Sequence, residues 1–79
     1  MRVKPQYKIA VTGVGALIGQ GIVRSLLRDE RSWILGIDRK LSLFSEKYCN
    51  ASLQKPNCSE DEPEYLKFWF ELIDTHQID

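Results

Sequence analysis

The sequence holds two cysteines, one histidine, one methionine and no surplus of either charge. Cys49 and Cys58 are too few and too far apart for a zinc site or a redox pair, and they read as reduced thiols of a cytoplasmic protein. Eleven basic residues balance eleven acidic ones, for a formal net charge of zero. That leaves no electrostatic case for nucleic acid or an anionic membrane as partner. No apolar run approaches the ~20 residues that a membrane span requires, and the charged opening MRVKPQYK does not follow a secretory pattern. The sequon-like triplets at Asn50 and Asn57 are therefore read as chance. No repeats or low-complexity tracts occur. A chain of 79 residues predicts one small domain, and a domain of this size buries only about 60% of the surface its unfolded chain exposes.

Within that frame the apolar residues are strongly patterned. YKIAVT, Tyr7 to Thr12, ends as a continuous run with β-branched residues and reads as a strand buried on both faces, entered at Lys4 and Pro5. A helix follows over Leu17 to Asp29, with Ile18, Ile22 and Leu26 at four-residue spacing, joined by Val23 and Leu27 in one wide apolar face. WILGID, Trp33 to Asp38, reads as a second buried strand. Strand, helix and strand in about thirty residues form a βαβ unit, so the two strands should be parallel. In the middle of the chain, Leu41 to Phe44 suggests one helical turn, and Tyr48 to Gln54 a short edge strand. Pro63 to Gln77 is the strongest helix signal, with proline at its first position and Ser59, Glu60, Asp61 and Glu62 ahead of it. It carries two apolar stripes, Leu66, Trp69, Phe70, Ile73 and Tyr65, Phe68, Leu72, which is more apolar surface than a surface helix needs.

Between the first strand and the first helix stands VTGVGALIGQG, with Gly13, Gly15, Gly19 and Gly21. In a βα turn, glycines permit a tight turn, close approach of a phosphate and close packing of helix on strand, and the helix N-terminus offers free N–H groups. The strict G-x-G-x-x-G frame fails at Ile18; Gly13, Gly15 and Gly19 read G-x-G-x-x-x-G. Asp38, at the end of the second strand, stands where an acid that binds ribose hydroxyls would stand, and Arg39 after it would suit a phosphorylated ribose. The same Asp38 would equally end a strand and cap the next turn. Spacing alone leaves a nucleotide cradle and a plain turn both open.

The chain resembles the opening of ATP-grasp ligases of the carbamoyl-phosphate-synthase-like group. The resemblance rests on Thr12, Gly13, Gly15, Ile18, Gly19, Gln20 and Gly21; on Gly36 and Asp38; and on Asp61, Pro63, Glu64 and Tyr65. It covers nearly the whole chain. Ala16 departs from it where many relatives carry another glycine, and YCNASLQKPNC is more polar than the usual third strand. The resemblance implies a pre-ATP-grasp domain: α/β, a small three-layer Rossmann-like parallel sheet of strand order 3-2-1, with the fourth strand missing and two main helices. It implies a scaffold on the substrate side of an ATP-dependent carboxylate–amine ligase, not catalytic alone. ATP and magnesium would bind later domains, and no cofactor would bind this fragment, which is expected to be C-terminally truncated. Gly13, Gly15, Gly19 and Asp38 are the candidate site residues, as turn residues first and ligand contacts second. The expected partners are the missing C-terminal ATP-grasp domains and a small-molecule substrate. The fragment is expected to self-associate through the first strand or the second stripe of the last helix.

Two other readings compete. Extended short-chain dehydrogenases and epimerases open with T-G-x-x-G-x-x-G; Thr12, Gly13 and Gly19 fit, Ala16 does not, and Asp38 would contact the ribose of NAD(P). A non-catalytic interaction module would instead use Tyr65, Phe68 and Leu72 as an exposed surface. The remaining chemistry-bearing residues read as ordinary structure. His76 has no nucleophile beside it, Glu60, Asp61 and Glu62 suit a solvated helix start, and Trp33, Trp69 and Phe70 read as core.

Overall fold

The computed structural model describes residues 7–40 and 43–79. The entry at Lys4 and Pro5 lies outside them, as does part of the turn expected over Leu41 to Phe44. Six elements follow one another: β1 (Tyr7–Thr12), α1 (Leu17–Leu26), β2 (Ser32–Asp38), α2 (Leu43–Tyr48), β3 (Ala51–Gln54) and α3 (Pro63–His76). The strands form a parallel sheet with β2 in the middle, in the order β1-β2-β3, which is the predicted order read from the opposite edge. Ile9 lies beside Ile34 and Val11 beside Gly36, while Leu35 pairs with Ala51 and Ile37 with Leu53.

Alternation along β2 divides the core into two layers. Ile34 points into one cluster with Val11, Val14 and Val23, against which Ile9, Leu26, Phe44 and Cys49 pack. Leu35 and Ile37 point into the other, with Leu72, Phe68, Trp69 and Ile78. So α1 and α2 cover one face and α3 the other, which is why β2 is apolar on both sides. β3 is shorter than the predicted edge strand because Asn50 takes over its start: the Asn50 amide oxygen accepts from Ile34 N–H at 2.8 Å, and its own N–H donates to Ile34 O at 2.9 Å.

α1 and α3 begin where expected, whereas α2 continues past Phe44 to Tyr48, which was expected to open the edge strand; the faces that α1 and α3 bury also differ. On α1 the inward residues are Gly19 and Val23, with Leu26 half-buried, whereas Ile18, Ile22 and Leu27 are exposed. The helix ends at Leu26 rather than Asp29. There the Asp29 carboxylate accepts from the Arg31 backbone N–H at 2.9 Å and from its guanidinium at 2.9 and 3.0 Å, closing a polar turn. On α3 the second stripe is the packed one: Leu72 is buried and Tyr65 and Phe68 are half-buried, joined by Trp69 from the first stripe, also half-buried. Phe70, expected as core, is 68% exposed, and Leu66 and Ile73 of the same stripe are 58% and 44% exposed.

At the end of α3, Gln77 adopts a left-handed conformation (φ 54°, ψ 52°), and Ile78 N–H bonds back to Ile73 O at 3.0 Å. The chain then turns to β1. Asp79 N–H donates to Lys8 O at 2.9 Å, and its carboxylate accepts from Lys8 N–H at 2.7 Å.

Candidate functional site

The glycine turn is built on the carboxyl end of the sheet. Gly13 leaves β1 with φ +74°, a conformation that L side chains rarely adopt. Its N–H donates to Ile37 O at 2.8 Å, and Ala16 N–H returns to Gly13 O at 3.0 Å. Val14, fully buried, plugs the turn into the core beside Val11 and Val23. One turn into α1, a Cβ on Gly19 would be driven into the Gly13 carbonyl oxygen, so the helix lies directly on the turn. Gly21 faces open space.

Asp38 closes the arrangement from β2. Its Oδ2 accepts from Gly15 N–H at 2.6 Å, and its Oδ1 accepts from Arg39 N–H at 2.6 Å. A Cβ at Gly15 would stand 2.6 Å from the same carboxylate oxygen. The structure brings Gly13, Gly15, Gly19 and Asp38 together at this turn. The Asp38 carboxylate thus lies on the loop amide of Gly15. Ala16, the N-cap, gives no side-chain bond, and the first turn of α1 holds no acid. Leu17 and Ile18 flank that helix end, both more than three-quarters exposed.

Beside the turn lies a cleft of about 400 Å³ lined by Arg39, Lys40, Gln54, Lys55, Pro56 and Asn57. It is tied to β2 by a bond from Lys55 N–H to Asp38 O at 2.8 Å. The ion pairs of the described residues, Asp29–Arg31 and Lys67–Glu71, lie elsewhere. Three cations thus line the edge of a parallel sheet where α/β proteins take their ligands. Of these, only Arg39 drew attention in the sequence. Lys40 and Lys55 carried the same signal, because both follow strand ends.

The other candidates fall into place. His76 stacks on Trp33 at 5.9 Å between centroids, and Lys8 lies over the same indole at 5.1 Å. Lys55 lies over Trp69 at 5.8 Å. Phe70, expected in the core, is on the surface. Ahead of α3, the Ser59 hydroxyl donates to the Asp61 carboxylate, which holds that carboxyl below its usual range. Cys58, Glu62 and Glu64 place a thiol and two carboxylates within 4.8 Å of one another, a grouping the spacing did not reveal. Desolvation, followed by the two glutamates, pushes the Cys58 thiol up and keeps it protonated at neutral pH. Cys49 rises through burial beneath Gly36, where a Cβ would stand 2.7 Å from its sulfur. Both thiols are free. No helix among the described residues is long and apolar enough to cross a membrane. Comparison of the chain with family models, with curated proteins and with solved structures returned no match.

Proposed function

We propose that this chain is a structural, non-catalytic Rossmann-like module: the first, substrate-side domain of a cytoplasmic ATP-dependent carboxylate–amine ligase of the carbamoyl-phosphate-synthase-like kind. ATP and magnesium belong to partner ATP-grasp domains, and the glycine turn serves packing. One observation carries this reading. The Asp38 carboxylate, which a dinucleotide would need for its ribose, is spent on Gly15 N–H and Arg39 N–H. Gly13 and Gly19 are accounted for by the turn and by helix contact alone.

A second reading, the NAD(P)-binding half of a dehydrogenase or epimerase, is favoured by the Arg39–Lys40–Lys55 cleft beside Asp38. Calorimetric titration of the purified chain with NAD(H), NADP(H) and ATP separates the two. The scaffold reading expects no heat of binding from any of them. Binding of NAD(P) that disappears in Asp38→Ala overturns it. The interaction-module reading needs Tyr65, Phe68 and Leu72 at the surface, and Leu72 is buried.

A further inference from the structure

At the carboxyl ends of β2 and β3, positive charge gathers in a cleft without a counter-charge. Arg39 and Lys40 line it from the end of β2, and Gln54, Lys55, Pro56 and Asn57 from the end of β3 and the loop after it. No carboxylate is among these lining residues. Asp38, next to Arg39 in the chain, spends its carboxylate on Gly15 N–H and Arg39 N–H. Glu62 and Glu64 gather on the Cys58 thiol. The ion pairs among the described residues are Asp29–Arg31 and Lys67–Glu71, so none of the three cleft cations takes part in one.

The wall that carries Lys55 is fixed before any ligand arrives. Lys55 N–H donates to Asp38 O at 2.8 Å, and Cys58 N–H to Pro56 O at 2.9 Å, so the segment after β3 is pinned at both ends. Pro56 removes a backbone freedom between them. Lys55 is half-buried, and its ammonium lies over the Trp69 ring of α3 at 5.8 Å from the centroid. Charge held in place in this way costs less ordering on binding than a free side chain would. The cleft measures about 400 Å³, near the lower end of the roughly 300–1,000 Å³ of small-molecule sites.

We propose that this cleft binds the phosphate monoester of a small polyhydroxylated molecule, a ligand of about the size of a sugar phosphate. A dianion answers three gathered cations better than a single carboxylate does. The Arg39 guanidinium offers a planar fork to two phosphate oxygens, and the Lys40 and Lys55 ammonium groups act as point charges. The side-chain amides of Gln54 and Asn57 both donate and accept, which suits hydroxyl groups. The carboxyl end of parallel strands is where open α/β sheets take their ligands. The volume suits one phosphate and one sugar-sized body, and with Asp38 spent on the loop no carboxylate is left for the ribose of a dinucleotide. The glycine turn takes no part in the site, so the inference does not rest on the ligase reading: titration with ATP and NAD(P) decides that reading, and titration with a phosphate ester decides this one.

The test is an NMR titration of the full isotope-labelled chain with ribose-5-phosphate, with ribose and inorganic phosphate as comparison probes. We expect saturable shifts centred on the Arg39, Lys40, Lys55 and Asn57 amides, with a Kd of about 1 mM or tighter. The Trp69 indole N–H should move with them as the anion draws Lys55 from the ring, whereas that of Trp33, which carries Lys8 at 5.1 Å, should stay. Arg39→Gln and Lys55→Gln should each weaken binding about tenfold. Lys67→Gln, whose partner on α3 is Glu71, should change it less than about twofold. Ribose should give no shift, and inorganic phosphate should bind about tenfold more weakly than the ester, for want of the hydroxyl contacts. No saturable shift, shifts of equal size at cations outside the cleft, or unchanged binding by a chain carrying both Arg39→Gln and Lys55→Gln overturns the proposal. Equal affinity for inorganic phosphate and the ester overturns it in favour of a bare anion site, and binding of NADPH about tenfold tighter than the ester overturns it in favour of a dinucleotide.

Discussion

Two ends of β1 present opposite solutions to the same problem. At its carboxyl end, the turn bonds back into the chain: Gly13 N–H on Ile37 O, Gly13 O on Ala16 N–H, and Gly15 N–H on Asp38. Along its outer edge the backbone bonds found among the described residues are those of Lys8 with Asp79. A region that consumes its own hydrogen-bonding capacity is built for packing. The glycine motif drew attention in the sequence, and the structure accounts for Gly13 and Gly19 by the turn and by helix contact.

The sharpest way to break this contrast is to exchange the roles of the two stripes of α3. Leu72→Ala should cost about 2–4 kcal/mol, because it empties a core position between Leu35 and Ile37. Phe70→Ala, at a position 68% exposed, should cost less than about 0.5 kcal/mol. Urea unfolding of both variants reads the difference, and equal losses would mean that the helix face is assigned wrongly. Next comes the glycine turn. Gly19→Ala should destabilise by about 1–3 kcal/mol through its clash with the Gly13 carbonyl. Gly21→Ala, in the same helix with nothing near it, should stabilise by about 0.5–1 kcal/mol. Asp38→Ala removes two charge-assisted bonds to loop amides and should cost about 1–2 kcal/mol. A neutral Asp38→Ala would argue that the carboxylate serves a ligand instead of the turn.

The smallest effect belongs to the Asp29–Arg31 turn. Hydrogen bonds from the Arg31 side chain and backbone hold the Asp29 carboxyl below its usual value of 3.8. Its folded pKa is therefore the lower one, so its contribution is present above the unfolded pKa and is lost as pH falls through the folded value. Asp29→Asn should be slightly less stable than the parent at pH 7. The gap should close below about pH 4, as followed by thermal unfolding at a series of pH values.

Element type and strand order were legible because a parallel strand buried on both faces and an amphipathic helix carry distinct periods. The faces were harder. On α1 the isoleucines dominate the pattern, but the crossover lays the helix on its glycine at position 19 and on Val23. Small size at the point of closest approach outweighed hydrophobicity. On α3 more than half of the circumference is apolar, so periodicity alone could not say which stripe meets Leu35 and Ile37. At the candidate site, spacing brought Gly13, Gly15, Gly19 and Asp38 together. It carried no information on where the carboxylate would aim, because that depends on the loop's height above β2 and on the Gly15 amide turning toward it.

The all-parallel pairing has a kinetic consequence. Tyr7 meets Ser32 and Leu35 meets Ala51, and no hairpin joins any two strands. Each strand must wait for a crossover to form before it can pair, and the Lys8–Asp79 bonds close a separation of 71 residues. This chain should therefore collapse onto its helices first and fold more slowly than a helical bundle of equal length. During that delay the edge of β1 is open to any neighbouring strand.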